Sequence, residues 1–586
     1  MEHVEGKPSL QERRVRLMNR IAAHRSARAR PATGFVNQPE PRTIGSFSRG
    51  RQLIAGNFLF AGHLIEAPET AMWDLDMPSP RFEVELHGFR WLDDLAAVGD
   101  IAARTVAQRW AWDWIERFGR GAGPGWTPDL VGRRLIRWIN HAIFLLNGST
   151  PEQSRRFFRA LAGQTLFLSR RWQVAGPGLP RFEALTGLIY AGLSLNGQER
   201  HVGPAIKALS RECDARIDAE GGLPTRNPEE LLEVFTLLIW AAQAMMEAGK
   251  RPEQELEDAI RRIAPTLRAL RHADGGLARF HGGARGLEGR LDHALATAGI
   301  RPELHEGLAM GFARLAAGRT SVILDAALPP VGAASVNAHA STLSFEMTSG
   351  RRPLIVNCGP GATFGETWRR AGRATPSHST LGIDGFSSSR LGMVGLGRGK
   401  RGEILHDLPK EVRFQQESKV DRLHVLAGHD GYVATHGLTH VRQLSLSRDG
   451  RTLDGEDTLG AVSRADRAIF ERHMTEAQLQ GVSFTIRFHL HPDVDATLDM
   501  GGAAISMAQK SGEIWVFRYA GSADLALEPS VYLEPGRLKP RASRQIVLSC
   551  RVLDGACQIN WTLAKAQDTP QAIRDVVRDD DDHLTD

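Results

Sequence analysis

Histidine has an ordinary proton affinity close to neutral pH, so a group of histidines is a natural place to look for acid–base chemistry. Five stand in three short segments of this 586-residue chain: His339, His378, His429, His436 and His440. They stand in NAHASTLSFEMTSG, RATPSHSTLGIDG and HDGYVATHGLTHVRQL, segments without helical periodicity. The grouping predicts that at least two of them share a site. A second segment with chemical potential is RNPEEL, 226–231. Arg226 has a planar fork that suits a carboxylate. Glu230 becomes a base if burial raises its pKa toward neutrality. The same residues also spell a helix start, with Asn227 as N-cap, Pro228 at the first helical position and Glu229 and Glu230 favoured by the helix dipole. The two uses are compatible, because helix N-termini at a cleft mouth are able to bind sugars.

Other chemistries are excluded. No Walker loop, HExxH or GxSxG occurs, and the Gly-rich GLGRGKRG (395–402) lacks the Lys-Ser/Thr ending of a phosphate loop. The four cysteines, Cys213, Cys358, Cys550 and Cys557, form no CxxC pair, which argues against a cysteine zinc site or a disulfide framework. Cys550 and Cys557 are placed to meet across neighbouring strands. A net charge of +5 from 73 basic and 68 acidic residues is mild, and aromatics at 7% do not suggest nucleic-acid binding. No apolar run reaches the roughly 18 residues a membrane helix needs. The basic N-terminus has no apolar signal core, so the cytoplasm is the default location.

The elements that must position these residues divide the chain in two. Over 92–316 the apolar spacing is helical, as in GRRLIRWINHAIFLLNG, where Leu135, Trp138, Ile139 and Ala142 share a face. Gly and Pro breaks separate successive segments and suggest an antiparallel helical array, toroid or solenoid. Beyond LDAALPP (324–330) short runs alternate with period two: Phe484, Ile486, Phe488 and Leu490 interleave with Thr485, Arg487 and His489. Asp-Gly turns at 449–450, 454–455 and 554–555 separate such runs. The expected organisation is α+β multidomain: a flexible basic arm over 1–40, a helical domain over 41–325, an antiparallel β-sandwich over 326–565 and an acidic disordered tail over 566–586.

The ordered series H-x-x-x-L-S-F-E, I-V-N-C-G, H-S-T-L-x-I-D-G, H-D-G-Y and F-H-L-H-P, running through about 338–490, resembles the heparinase II/III family of polysaccharide lyases. GWTPDLVGRRLIRWINHAI, ALTGLIYAGL and GGLPTRNPEELLEVF resemble helices of that family's (α/α) toroid. The resemblance implies a toroid followed by a β-sandwich, with a cleft between them. It also implies β-elimination on an acidic, uronate-containing polysaccharide or oligosaccharide. A neutraliser quenches the uronate carboxylate, a base takes the C5 proton and an acid protonates the leaving O4. Carried over, His378 is the sandwich histidine, and Glu230 stands where a tyrosine is expected. Leu179-Pro180 replaces an Asn-His pair. Catalytic candidates are therefore His378, Glu230, Arg226 and Tyr432, with Asn227, Trp138 and Arg134 as substrate contacts. In metal-binding relatives two histidines and an aspartate hold zinc. The matching positions here are His339, His378 and Asn357, where a neutral amide replaces the carboxylate; no cofactor is otherwise implied. The resemblance also points to a cell-envelope or periplasmic location. Two other readings stand beside the lyase: a non-catalytic glycan-binding or envelope-organising protein on a lyase scaffold, and an inverting glycoside hydrolase that uses Glu230.

Overall fold

The computed structural model describes residues 9–28, 30, 32–301, 307–395 and 401–566. The acidic tail expected over 566–586 lies almost wholly outside them. The basic N-terminus is not a flexible arm over its described length: Leu10–Ser26 is a helix. Its start is a capping box, in which the Ser9 hydroxyl accepts from Glu12 N–H and the Glu12 carboxylate accepts from Ser9 N–H at 2.9 Å. Asn19, Ala23 and Ser26 are its buried face, and Arg171 donates to Asn19 Oδ1 at 2.8 Å. The helix thus docks on Pro151–Arg171. Its charge gave the impression of an unpartnered arm, but the buried stripe is built from small and polar residues.

Helices fill the N-terminal half as an (α/α) toroid. Ser79, Thr150 and Asn227 each precede a proline at the first helical turn, and each side chain caps its helix. The inner helices Pro128–Asn140, Leu179–Ser194 and Pro228–Glu247 have their N-termini at one end. Arg133 of the first pairs with Glu183 near the start of the second, and Gly178 at the second helix's N-cap faces Glu230 of the third. The first two approach backbone to backbone. A Cβ on Gly187 would lie 2.5 Å from Gly132 Cα, and one on Gly132 would lie 2.2 Å from the Glu183 carbonyl oxygen. Inside the ring Trp91 packs edge-to-face on Trp110 and Trp114 on Trp138, while Phe89 lies tilted against Trp91 and Phe157 stacks on Trp138.

The C-terminal half is an antiparallel β-sandwich of two sheets, eight strands each among the described residues. One sheet is ordered Val412–Ser418, Arg422–Tyr432, Leu438–Ser447, Thr452–Gly460, Ala556–Lys565, Ile514–Ala520, Ala504–Gln509, Val494–Asp499. The other runs from Asp524–Tyr532 through Arg541–Val552, Val482–Leu490, Arg352–Val356, Phe345–Ser349 and Thr320–Asp325 to Phe312–Ala317, with Leu381–Ile383 beside Val482–Leu490. Phe484, Ile486 and Phe488 point inward, while Ser483, Thr485 and Arg487 are half-buried, as period-two alternation requires. Trp561 lies over Gly455, its register partner, where a Cβ would meet the indole at 2.0 Å, and stacks with Phe345 at 5.8 Å. Cys550 and Cys557 do meet, as thiols with sulfurs 3.4 Å apart.

The Gly132–Gly187 approach has no room for a side chain. Gly187→Leu is expected to cost about 3 kcal/mol or more by overpacking, read as a lowered midpoint in urea unfolding followed by far-ultraviolet circular dichroism.

Candidate functional site

The two halves meet through Arg226. It has a positive φ of 48° just before the Asn227 cap and sends its guanidinium into the first strands of the sandwich. Nε donates to Met310 O at 3.0 Å, Nη1 to Ala327 O at 3.2 Å and Leu328 O at 2.9 Å, and Nη2 to Gly311 O at 2.8 Å and Asp325 Oδ1 at 2.6 Å. Every N–H of the fork is used. The expected neutraliser of a substrate carboxylate is instead a structural clamp. Asn227 is committed as well: its Oδ1 accepts from Glu229 N at 3.0 Å and Glu230 N at 3.1 Å.

Asp325 passes the connection on. Its Oδ2 accepts from Ser341 Oγ at 2.7 Å and faces His281 Nε2 at 3.5 Å. His281 Nδ1 accepts from the backbone N–H of His339 at 3.2 Å, which puts the ring proton on Nε2, toward the carboxylate. His339 Nδ1 lies 3.0 Å from His378 Nε2, and His378 Nδ1 lies 2.9 Å from Ala374 O. The carbonyl can only accept, so His378 carries its proton on Nδ1 and accepts from His339 Nδ1–H at Nε2. The lone pair of His339 is then on Nε2. All three rings are buried, with His378 only 1% exposed. Burial pushes His378 down to about 4 and holds His281 and His339 well below the usual histidine range, so all three are neutral at pH 7.

Of the five clustered histidines, His339 and His378 come together. His429 and His440 face each other across Arg422–Tyr432 and Leu438–Ser447, where His440 Nε2 donates to Asp457 at 2.8 Å beside the Arg442–Asp457 ion pair. His436 packs against Phe386 and His473. Tyr432 is fully buried, donates its hydroxyl to Leu381 O at 3.2 Å, and is held protonated by burial. It is a packing residue rather than an acid or base in a cleft.

Asn357 does not complete a metal site. Its Oδ1 accepts from Ser379 N at 3.0 Å, and its Nδ2 lies 3.5 Å from Glu346 Oε1. His339 Nδ1 and His378 Nε2 are spent on each other rather than turned toward a common centre, and among the described residues no group of three His, Cys, Asp or Glu side chains is placed to hold a metal ion. The donor set does not fit zinc.

Trp138 and Arg134 are in the toroid core, not at the cleft. Both are without exposed surface. Trp138 stacks on Phe157 at 5.4 Å, and Arg134 donates to Gln164 Oε1 at 2.6 Å beneath the Trp114 ring. Helical spacing identifies a shared face but not whether that face looks into the ring wall or the mouth. Glu230 is the one proposed catalytic side chain that keeps partial access. It is half-buried, and burial raises its pKa against the opposing Thr225 hydroxyl. Glu183 and Glu229 are raised too, mainly by burial. Burial would also raise Glu233, but the Arg90 and Arg290 charges overcome it and hold the group low. Glu183 is buried against Arg133, and Glu229 and Glu230 are half-buried at the start of Pro228–Glu247. His281 and Asp325 are the linking residues the sequence did not reveal: one sits in HGG, and the other, in the stretch expected to be a linker, ends the strand Thr320–Asp325, so the sandwich begins at Phe312 rather than at 326.

A helical toroid whose mouth abuts a two-sheet sandwich defines the architecture of the heparinase-type lyases. The crystal structure of heparinase III matches with a TM-score of 0.66 over 93% of this chain and 89% of that one, at 14% identity. A mutant of the heparan sulfate lyase HepC from Pedobacter heparinus matches with 0.58 over 95% and 89%, also at 14%. Likeness at this identity concerns the fold alone. Residues 299–562 match the family described as heparinase II/III-like, C-terminal. FtsZ-localized protein C of Caulobacter vibrioides (strain NA1000 / CB15N) is 30% identical over 92% of this chain and 91% of its own. The chain belongs to the heparinase II/III-like family. Among the described residues no helix is long and apolar enough to cross a membrane.

His378 links site burial to stability. Its folded pKa of about 4 lies below an unfolded value of about 6.5. The unfolded chain therefore binds more protons between these values, and stability is complete above about pH 6.5 and falls as pH drops toward 4. Replacing His378 with Gln is expected to remove about 2–3 kcal/mol of that acid-side loss between pH 6.5 and 4.5, measured by urea unfolding at both pH values.

Proposed function

We propose that this chain is a non-catalytic member of its family, a binding protein on a lyase scaffold that works in association with FtsZ. One observation carries the reading: Arg226, Tyr432, His339 and His378 are all buried in the seam or the sandwich, and Arg226, Tyr432 and His378 spend their hydrogen bonds inside the protein. A β-elimination needs a neutraliser and a base that reach the uronate. FtsZ as partner rests on the likeness to the Caulobacter protein named for its localisation with FtsZ.

The second reading is a polysaccharide lyase that cleaves a uronate-containing glycan. The unprotonated Nε2 of His339 favours it, since an imidazole lone pair is a base. Incubation with heparan-type, alginate-type and bacterial capsular glycans separates the two. The binding reading expects no ultraviolet-absorbing unsaturated product from any of them, together with saturable co-sedimentation of the full chain with FtsZ polymers. Unsaturated product that disappears in His378→Ala would establish the lyase instead. Reducing ends without unsaturation would select an inverting hydrolase, with Glu230 as its first candidate.

A further inference from the structure

Cys550 and Cys557 belong neither to the seam nor to the toroid. Cys550 is on the strand Arg541–Val552 of one sheet, and Cys557 is on Ala556–Lys565 of the other. The chain crosses between the sheets through Leu553, Asp554 and Gly555. By the period-two alternation Cys550 shares the inward face of Ile546, Leu548 and Val552, and Cys557 shares that of Ile559, Trp561 and Leu563. The two thiols therefore face each other across the gap between the sheets.

Their sulfurs are 3.4 Å apart, and the Cys550 thiol donates to Ser522 O at 2.9 Å. A disulfide asks the sulfurs to come closer by only about 1.4 Å. The strand Asp524–Tyr532 pairs no further than Ser549, and Ile514–Ala520 no further than Asn560. At this rim, among the described residues, each cysteine thus has a paired strand on one side alone, with Phe484 beside Cys550 and Leu459 beside Cys557. Both cysteines are accordingly half-buried, whereas Cys213 and Cys358 are buried. Burial pushes the thiols of Cys213 and Cys358 up, to about 12 and about 11, and keeps them protonated and inert. It also pushes Cys557 up, to about 12, which makes Cys557 the second sulfur to react rather than the first.

We propose that Cys550 and Cys557 form a reversible dithiol–disulfide site that exchanges with a low-molecular-weight disulfide of the glutathione class and, when oxidised, ties the two sheets together. The Cys550 thiolate attacks one sulfur of the small disulfide, breaks its S–S bond and expels one thiolate, leaving a mixed disulfide on Cys550. The Cys557 sulfur then loses its proton to water, attacks Cys550 Sγ and expels the second thiolate. The two protein sulfurs are oxidised, the two sulfurs of the small disulfide are reduced, and the two protein protons end on the released thiols. The site is separate from the seam, and its assignment does not depend on whether the chain is a lyase or a binding protein.

The test treats the folded full chain with oxidised glutathione and reads intact mass, then maps the peptides without reduction. The expected product is lighter by two hydrogens, carries a Cys550–Cys557 link, keeps Cys213 and Cys358 as thiols, and returns to the starting mass with dithiothreitol. Cys557→Ser keeps the attacking sulfur and removes the resolving one, so it is expected to hold one glutathione on Cys550. At about 1 mM reduced glutathione, the wild type is expected to close at about tenfold less oxidised glutathione than Cys557→Ser needs for its adduct, because the second thiol is supplied within the chain. Cys550→Ser is expected to gain no link and covers the case in which Cys557→Ser does not fold. An unchanged mass, glutathione that stays on the wild type without closure, a link to Cys213, to Cys358 or between two molecules, closure no easier than adduct formation, or a two-hydrogen loss that persists in Cys550→Ser overturns the assignment.

Discussion

Arg226 reaches from the end of a toroid loop into the sandwich and gives all of its hydrogen bonds to Asp325 and four backbone carbonyls there. Gly311 is what lets it pass, since a Cβ at that position would stand 2.6 Å from the guanidinium. A buried ion pair of this kind adds little net stability over an apolar substitute, but losing one partner strands a charge and costs about 3–5 kcal/mol. It therefore fixes register more than it strengthens the fold. The helix that begins at Asn227 and the strand that ends at Asp325 are held in one relation, and the carboxylate turns its other oxygen toward Ser341 and His281.

The rest of the seam follows from that fixed carboxylate. His281, His339 and His378 form a chain in which every assigned proton has one direction to point. Water is excluded, so the neutral forms are favoured. The sandwich interior has a comparable assembly with the opposite electrostatic result. Asp457, buried with Arg442, His440 and the Trp561 indole, would be raised by burial but is held far below the usual carboxylate range by the arginine charge. The seam and the sandwich interior thus both use buried histidine for order. Neither presents one to a groove.

Fold and chemistry rest on different residues. The toroid needs small residues where helices touch, capped helix starts and aromatic filling. The sandwich needs alternation and turns. These survive at 14% identity to heparinase III. Chemistry needs a few side chains with access, and access is lost when a side chain is recruited for packing. Glu230 keeps partial access, while Glu183 beside it is buried against Arg133.

The division into helical and strand halves was legible in the sequence because it depends on local periodicity, 3.6 in one half and 2 in the other. The cap at Asn227 was legible for the same reason: it is a contact between residues two and three apart. The meeting of His339 and His378 was anticipated from motif order, without its geometry. What tertiary structure decided was depth. Trp138 and Arg134 obey the helical spacing of a cleft residue as well as that of a core residue, and only the ring of neighbours shows which. Leu10–Ser26 read as a loose basic arm because its buried stripe is small and polar, and only the docked Pro151–Arg171 helix gives that stripe a partner. Arg226 had the chemistry of a substrate clamp in sequence. The sandwich carbonyls and Asp325, 99 positions away, took its donors, and no local pattern encodes a contact made at that separation.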